Sequence, residues 1–511
     1  MSLKQSLADT SKSIKDLLKT LEPDIEEISD LETKVSITGI TNDSRKVSKG
    51  DIFVAYKGIN DDGHKYIQEA IEKGAGAIIA EKSINNSRIP YVKVKDGRNA
   101  LAKVSAVLNG HPSNKMKVTG ITGTNGKTTT TFILDHILKC DGKKTGLLGT
   151  VYNKISDKCI MNSSMTTLTA PELHRTLKDM YESKVNYVNM EVSSHSLKEK
   201  RVDGVDFNIA GITNFSFDHL DYHPSRHDYF LSKSRLFKLL EPEDFAIFNA
   251  DDPILLDFCN RTKAKIITYS LDYEHPMIKV SNLVLKGNTS EFSLKVNEDI
   301  TTLNDKIIYP GNYSFSLPLP GKHNVYNAVL ATISACILGV NLHDISEYLT
   351  TFKGLFRRFE PVYTESYNII DDFAHNPASI KAALETVGTL TYNSLILVFG
   401  IRGGRGTKIN ERNAQTLSMY LNKLAFKKLI VTCCEDVDEN TDTYKASKVN
   451  DSEARAFFKS LTVSAPGKIS SCQNLEPALK EALDLAKKND IILILGGHGM
   501  DNAQAILKEL I

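Results

Sequence analysis

The chain has 511 residues, a formal net charge of +1, 41% apolar and 24% charged residues, the make-up of an ordinary globular protein. That length exceeds what one hydrophobic core fills and divides into roughly two to four domains. The near-neutral balance excludes nucleic acid or an acidic membrane surface as a bulk electrostatic partner, and no stretch approaches a membrane-spanning run.

In chain order, "MSLKQSLADTSKSIKDLL" scatters charges and has no apolar signal core, so a cytoplasmic protein without membrane insertion is expected. From Val35 to Lys82, "ITGITNDSRKVSKGDIFVAYKG" and "DDGHKYIQEAIEKGAGAIIAEK" read as short strands, a turn and a helix, a small α/β unit closing at the turn around Pro112. From Lys117 to about Thr351, β-like runs such as "YVNMEVSS", "FNIAGITNFS" and "FAIFNADD" alternate with helical stretches, the pattern of a mainly parallel sheet. The strand-rich "IKVSNLVLKGNTSEFSLKV" is expected to form an antiparallel appendage. From Tyr367 on, "YNIIDDFAH", "SLILVFG", "KKLIVTCC", "GKISSC" and "DIILILGG" predict a second doubly wound sheet. Seven cysteines, odd in number and without C-x-x-C spacing, read as reduced packing residues.

The chemistry concentrates in Gly123, Thr124, Asn125, Gly126, Lys127, Thr128 and Thr129, between a β-like and a helix-like segment. Glycines let the backbone bend around an anion, and the amides opening the next helix point at it. Lys127 would reach terminal phosphates and the Thr128 hydroxyl a magnesium ion. Ile121 stands where the common nucleotide loop wants a glycine. A carboxylate ending the strand before "VSSH", Glu191, also suits magnesium.

The shorter loop G-T-N-G-K-T-T resembles that of the Mur ligase family, whose members join an amino acid or peptide to a carboxylate using ATP. The likeness extends over "MEVSSHSLKEKRVDGVDFNIAGITNFSFDHLDYH", Met190 to His223, which is similar to the MurE branch, the UDP-N-acetylmuramoyl-tripeptide synthetases. The resemblance implies an α/β fold of three domains: a small N-terminal α/β domain binding the uridine nucleotide (1–114), a central P-loop parallel-sheet ATPase domain (115–353) and a C-terminal Rossmann-like amino-acid-binding domain (354–511). It makes Lys127, Lys233, His219 and Glu191 catalytic, with Thr128, Glu191, His219 and an N6-carboxylated Lys233 holding Mg²⁺, two ions in all. Without it, Lys233 reads as a solvated helix lysine and His219 as a packing histidine.

Further contacts follow by the same resemblance. Asn324, Asn327, Arg358, Asp372 and His375 join the phosphate loop on ATP, although either asparagine would also serve as a helix cap. Thr166, Thr167, Ser193 and Arg201 touch the nucleotide-sugar peptide, and Asp43, Ser44, Arg45, Lys57, Gly58, Asp62 and Gly63 its uridine end. His498 and Asp501 face the incoming amino acid. His195 and His223 fit packing or hydrogen bonding equally well.

Four departures stand out. Arg357 replaces a glycine before Arg358, and Leu168 a proline. "VFGIRGGRGTKINERN" lacks the acids usual after its paired glycines. Where the branch carries D-N-P-R for diaminopimelate, this chain has "TCCEDVDENTDT", without an arginine for a bidentate grip, and its Glu435 and Asp436, with Asp438, Glu439 and Asp442, suit a cationic amino acid such as lysine. Solvated loop acids are the plain alternative. The expected partners are a UDP-linked sugar-peptide and a free amino acid, with no nucleic acid, for a monomer. A ligase of archaeal pseudomurein peptides and a non-catalytic precursor sensor are the alternatives.

Overall fold

The computed structural model describes the chain apart from residues 1–16, 18, 23, 30–35, 59–60, 85–87, 164, 217, 220–221, 435–447 and 463–466, and apart from the side chains of 159–162. Three main sheets organise it.

The first is five-stranded: Ile25–Ser29, Tyr91–Val94, Ala77–Ala80, Asp51–Ala55 and Gly39–Thr41, with only the first pair antiparallel. Its central strands are buried end to end, as strands covered on both faces must be. Helix Gly97–Leu108, capped by Asp96, packs across it.

The second sheet has eleven strands. At its centre Lys117–Thr122 lies between Tyr187–Glu191 and Ile209–Ile212, all parallel, and Phe245–Asn249 and Lys265–Ser270 continue the parallel run. Helix Lys127–Cys140 and the almost wholly buried helix Lys322–Ile337 share one apolar core on this sheet. A helix apolar all round is one sunk in an interior. The strand-rich insert is an antiparallel hairpin, Ile278–Lys286 with Thr289–Val296, extended by Gly311–Leu317. It prolongs the main sheet and so differs from a separate appendage: Tyr269 and Ser270 pair in parallel with Ile278 and Lys279.

The third sheet runs Glu360–Thr364, Asn368–Asp372, Ile491–Leu495, Leu395–Gly400, Phe426–Thr432 and Ile469–Cys472, parallel except for the first edge strand. Cys259 and Cys336 are buried among apolar neighbours, in keeping with a packing role. No helix among the described residues is long and apolar enough to cross a membrane.

Candidate active site

Thr122 ends the central strand and Lys127 starts the next helix, so residues 123–126 form the loop between them. Gly123 (φ +138°) and Gly126 (φ +87°) supply its bends. A β-carbon on Gly123 would sit 1.9 Å from the Thr213 hydroxyl, and one on Gly126 2.2 Å from Asn327 Oδ1, so the loop closes only on glycine. Lys127 Nζ donates to the Gly123 and Thr124 carbonyls at 2.9 and 3.0 Å. Lys233, buried on helix Arg226–Lys238, donates to the same Gly123 carbonyl at 2.7 Å and lies 4.5 Å from the Tyr229 ring centre. Burial and the neighbouring Lys127 charge push the Lys233 amine well below its ordinary range, against the pull of Asp218.

Glu191, at the end of its strand and 1% exposed, accepts from Thr128 Oγ1 at 2.9 Å, Thr150 Oγ1 at 3.0 Å and the Thr150 amide at 2.8 Å. Among the described residues no group of three or more His, Cys, Asp or Glu side chains makes a preformed metal cage. Thr128 and Glu191 are nonetheless hard oxygen donors beside a phosphate loop, which fits Mg²⁺, an ion held by one or two carboxylates together with substrate phosphates. His219, at φ +54°, has a buried Nδ1 without a protein partner and is kept neutral by burial, the state a ligand requires.

The third domain closes this cleft. Arg358 Nη2 donates to Thr128 Oγ1 at 3.3 Å. Asn376 caps helix Pro377–Val387 and exchanges amide hydrogen bonds with Asn125, at 2.9 and 3.2 Å, while its Nδ2 also reaches Asp218 at 3.0 Å. Asp218 further receives Arg402 Nη1 at 3.0 Å and lies 3.8 Å from His375. Burial alone would raise its carboxyl, but Arg402, His219 and His375 hold it well below the usual range. Burial also pushes Asp372 up to about 6, against Arg358, and its carboxylate accepts from the Phe359 amide. Asp218, Asn376 and Arg402 were not singled out from sequence. An asparagine before proline is an available helix-start signal, whereas nothing local marks an arginine that reaches across a domain boundary.

Two cavities meet at the loop. One, of about 400 Å³, is walled by Asn324, Asn327, Asp372, His375, Arg358 and Asn249. In it Asn324 donates to the Pro320 carbonyl and accepts from Asn327, and neither side chain caps helix Lys322–Ile337, whose N-cap is Gly321. The other, of about 190 Å³, runs from Lys127, Glu191 and Thr166 to Arg402, Arg405, Cys434 and His498. Thr167 bonds the Glu191 carbonyl and the Ser193 amide, Ser193 caps helix Ser194–Lys198, and Arg201 reaches the Thr167 carbonyl at 3.2 Å. Leu168, in the proline's place, is buried. His223 is fully buried between Asp228 and Ser194, a hydrogen-bonding role, while the His195 ring packs on Tyr222.

In the first domain Asp43, Ser44 and Arg45 follow one parallel strand, and Lys57, Gly58, Asp62 and Gly63 the next, at the carboxyl ends where open sheets bind ligands. Asp43 and Asp62 cap the turns there and pair with Arg45 and Lys82.

The segment with Glu435 and Asp436 lies outside the described residues. Residues 432–443 carry no arginine, but Arg402 and Arg405 line the smaller cavity from the loop after Gly400. That loop is held by an acid from another helix: buried Glu453 accepts from the Gly404, Arg405 and Gly406 amides at 3.2, 2.9 and 2.7 Å. Glu453→Ala should therefore cost about 3 kcal/mol, measured as a fall in the urea midpoint, since three loop amides lose their buried, charged acceptor. Asp501 is committed to Arg357 Nη1 at 2.5 Å and to His498 Nδ1 at 3.0 Å. Arg357 itself is 1% exposed at φ +53°, a conformation costing an L-residue about 1–2 kcal/mol.

Family models described as Mur ligase family, catalytic domain (36–108), Mur ligase middle domain (121–335) and Mur ligase, glutamate ligase domain (357–498) match the chain. The UDP-N-acetylmuramoyl-L-alanyl-D-glutamate–2,6-diaminopimelate ligase of Clostridium tetani is 35% identical over 494 residues, 95% of this chain and 94% of that protein. A solved structure of an enzyme with that name superposes with a TM-score of 0.67 over 98% of this chain and 99% of its own, at 23% identity. The MurF ligase of Thermotoga maritima, solved in complex with ADP, superposes at 0.59 over 92% and 97%, at 19% identity. With relatives this similar along nearly its whole length, and with their three-domain α/β fold, the chain belongs to the Mur ligase family.

Proposed function

We propose that the protein is an ATP-dependent ligase that adds an amino acid to a UDP-linked muramoyl peptide through an acyl phosphate, releasing ADP and phosphate. The observation that carries this reading is that Lys127, Glu191 and Arg358 line one cleft whose far wall belongs to the third domain, with Lys233 buried behind the loop on the Gly123 carbonyl.

The amides of the phosphate loop and Lys127 hold the γ-phosphate of ATP. A carboxylate oxygen of the acceptor forms the new P–O bond as the bond to ADP breaks. Lys127 and Arg358 lie where negative charge accumulates, and fixed donors in a dry site favour that charge more than water would. The amine nitrogen then attacks the acyl carbon, the C–O bond breaks with its electron pair leaving on phosphate, and the amine loses a proton. Closure of the third domain through Asn376, Arg402 and His375 on Asp218 keeps water from the acyl phosphate. Mg²⁺ held by Thr128, Glu191, His219 and carbamoylated Lys233 would supply charge neutralisation at the phosphates. Carbamoylation suits this chain's residues: an ammonium on Lys233 would be repelled by that of Lys127 on the shared Gly123 carbonyl, whereas a carbamate there would attract it.

For the amino acid, the acids from Glu435 to Asp442 favour a cationic side chain. Arg402 and Arg405 favour a distal carboxylate as well, and the 2,6-diaminopimelate in the relatives' names carries both groups. Rates with diaminopimelate, L-lysine and L-norleucine as competing acceptors test this. Either dibasic compound should win, and neutralising Glu435, Asp436 and Asp438 together should raise its KM about tenfold, ~1.4 kcal/mol. Preference for norleucine, with kcat/KM indifferent to the three acids, would contradict it.

A further inference from the structure

We infer that Arg357 is a positioning residue for the incoming amino acid: its guanidinium holds the 496–501 loop in register with Arg358, the side chain laid against the phosphate loop. This rests on the assignment of that loop to the amino-acid end of the cleft.

The position carries the first argument. An arginine buried in a left-handed backbone conformation, where glycine sits without strain, persists only when its surroundings over-determine it. They do. Nε donates to both oxygens of Asp371 at 3.2 Å, Nη1 to the Gly497 carbonyl at 3.0 Å and to Asp501 at 2.5 Å, and Nη2 to the Gly496 carbonyl at 2.8 Å. The backbone is fixed too, the amide by Glu360 and the carbonyl by the Phe373 amide. One side chain thus joins the segment entering the third domain, the strand Asn368–Asp372 and the loop after Ile491–Leu495.

What the loop carries is the second argument. Gly497, His498, Gly499 and Met500 wall the smaller cavity. Asp501, gripped by Arg357, turns its other oxygen to His498 Nδ1 and sets that ring. The Phe373 ring lies 5.1 Å from the Arg357 guanidinium, 5.0 Å from that of Arg358 and 5.0 Å from the His498 ring. Adjacent residues therefore serve the two ends of the cleft: Arg358 reaches Thr128 in the nucleotide half, and Arg357 fixes the loop in the other. A glycine at 357 would leave the loop carbonyls and Asp501 without this common donor.

The test is Arg357→Gly, which relieves the backbone and removes the guanidinium. With diaminopimelate and L-lysine each tried as acceptor, the KM for the amino acid should rise about tenfold or more while the KM for ATP stays within about twofold. Millimolar methylguanidinium should recover part of the loss. Independently of any substrate, hydrogen–deuterium exchange of the peptide covering 496–501 should speed up about tenfold, with strand Leu395–Gly400 unchanged. That readout separates the inference from the proposed function, since it holds even if neither amino acid supports turnover. Unchanged exchange in the loop, or KM values for ATP and amino acid rising in parallel, would overturn the assignment. If the glycine variant does not fold, Arg357→Lys carries the same test: it keeps the charge beside Asp371 and cannot reach all the loop acceptors. Its exchange and amino-acid KM should shift in the same direction, and no shift in either would overturn the inference.

Discussion

Alanine at Lys233 should lower turnover by about three orders of magnitude, or ~4 kcal/mol of barrier, and formate or acetate should restore part of it. The size follows from what the side chain is placed to become. Its amine is fully buried, bonded to the Gly123 carbonyl beside Lys127, and pushed by burial toward the neutral form that adds to carbon dioxide. In that addition nitrogen bonds to carbon and would lose a proton, giving an anionic oxygen pair beside the Gly123 carbonyl and Lys127. If Lys233 carries the proposed carbamate, removing the side chain deletes an anion, so a small carboxylate is the matching replacement. Initial rates with and without added formate, together with intact-mass detection of a labile carbamate on the native protein, check this. Full activity of the variant in buffer stripped of carbon dioxide would remove Lys233 from the mechanism.

Alanine at Lys127 should be at least as damaging, about a thousandfold or more, because loss of one preorganised donor from a developing negative charge commonly costs that much. Here the missing group is a cation, and chemical rescue should reverse its sign: methylammonium should restore some turnover, and formate none. The fold should survive. Among the described residues the side chain bonds two loop carbonyls, Gly123 and Thr124, whose loss costs about 1–2 kcal/mol. Thermal melting would show that small change, and ADP release the large one. Near-normal ADP release would contradict the placement of Lys127 on the γ-phosphate.

Much of this was legible in sequence because the signals are local. Gly123 to Thr129 announces a strand–loop–helix anion cradle, and the β-like runs with helix-length spacers announce parallel sheets. The strand-rich insert was legible as antiparallel, yet its fusion with the main sheet depends on two residues, Tyr269 and Ser270, whose pairing no local pattern records. What escaped was long-range. Asp218 lies within a quoted motif, but its place at the meeting point of Arg402, His375 and Asn376 exists only once two domains close. Arg402 and Arg405 line the smaller cavity from the loop after Gly400, far in sequence from the arginine-free segment 432–443. Glu453, nearly fifty positions from the amides it holds, is likewise a long-range partner that no local pattern marks.

The central claim is that ATP is used to activate the acceptor's carboxylate. Acceptor labelled with oxygen-18 in that carboxylate should, in the presence of ATP, Mg²⁺ and the amino acid, deliver one labelled oxygen to the released phosphate per turnover, because the C–O bond broken in the second step leaves its oxygen on phosphorus. Mass spectrometry of the phosphate reads this directly. Phosphate that carries no label from the acceptor, released at the same rate whether or not the acceptor is present, would contradict the account.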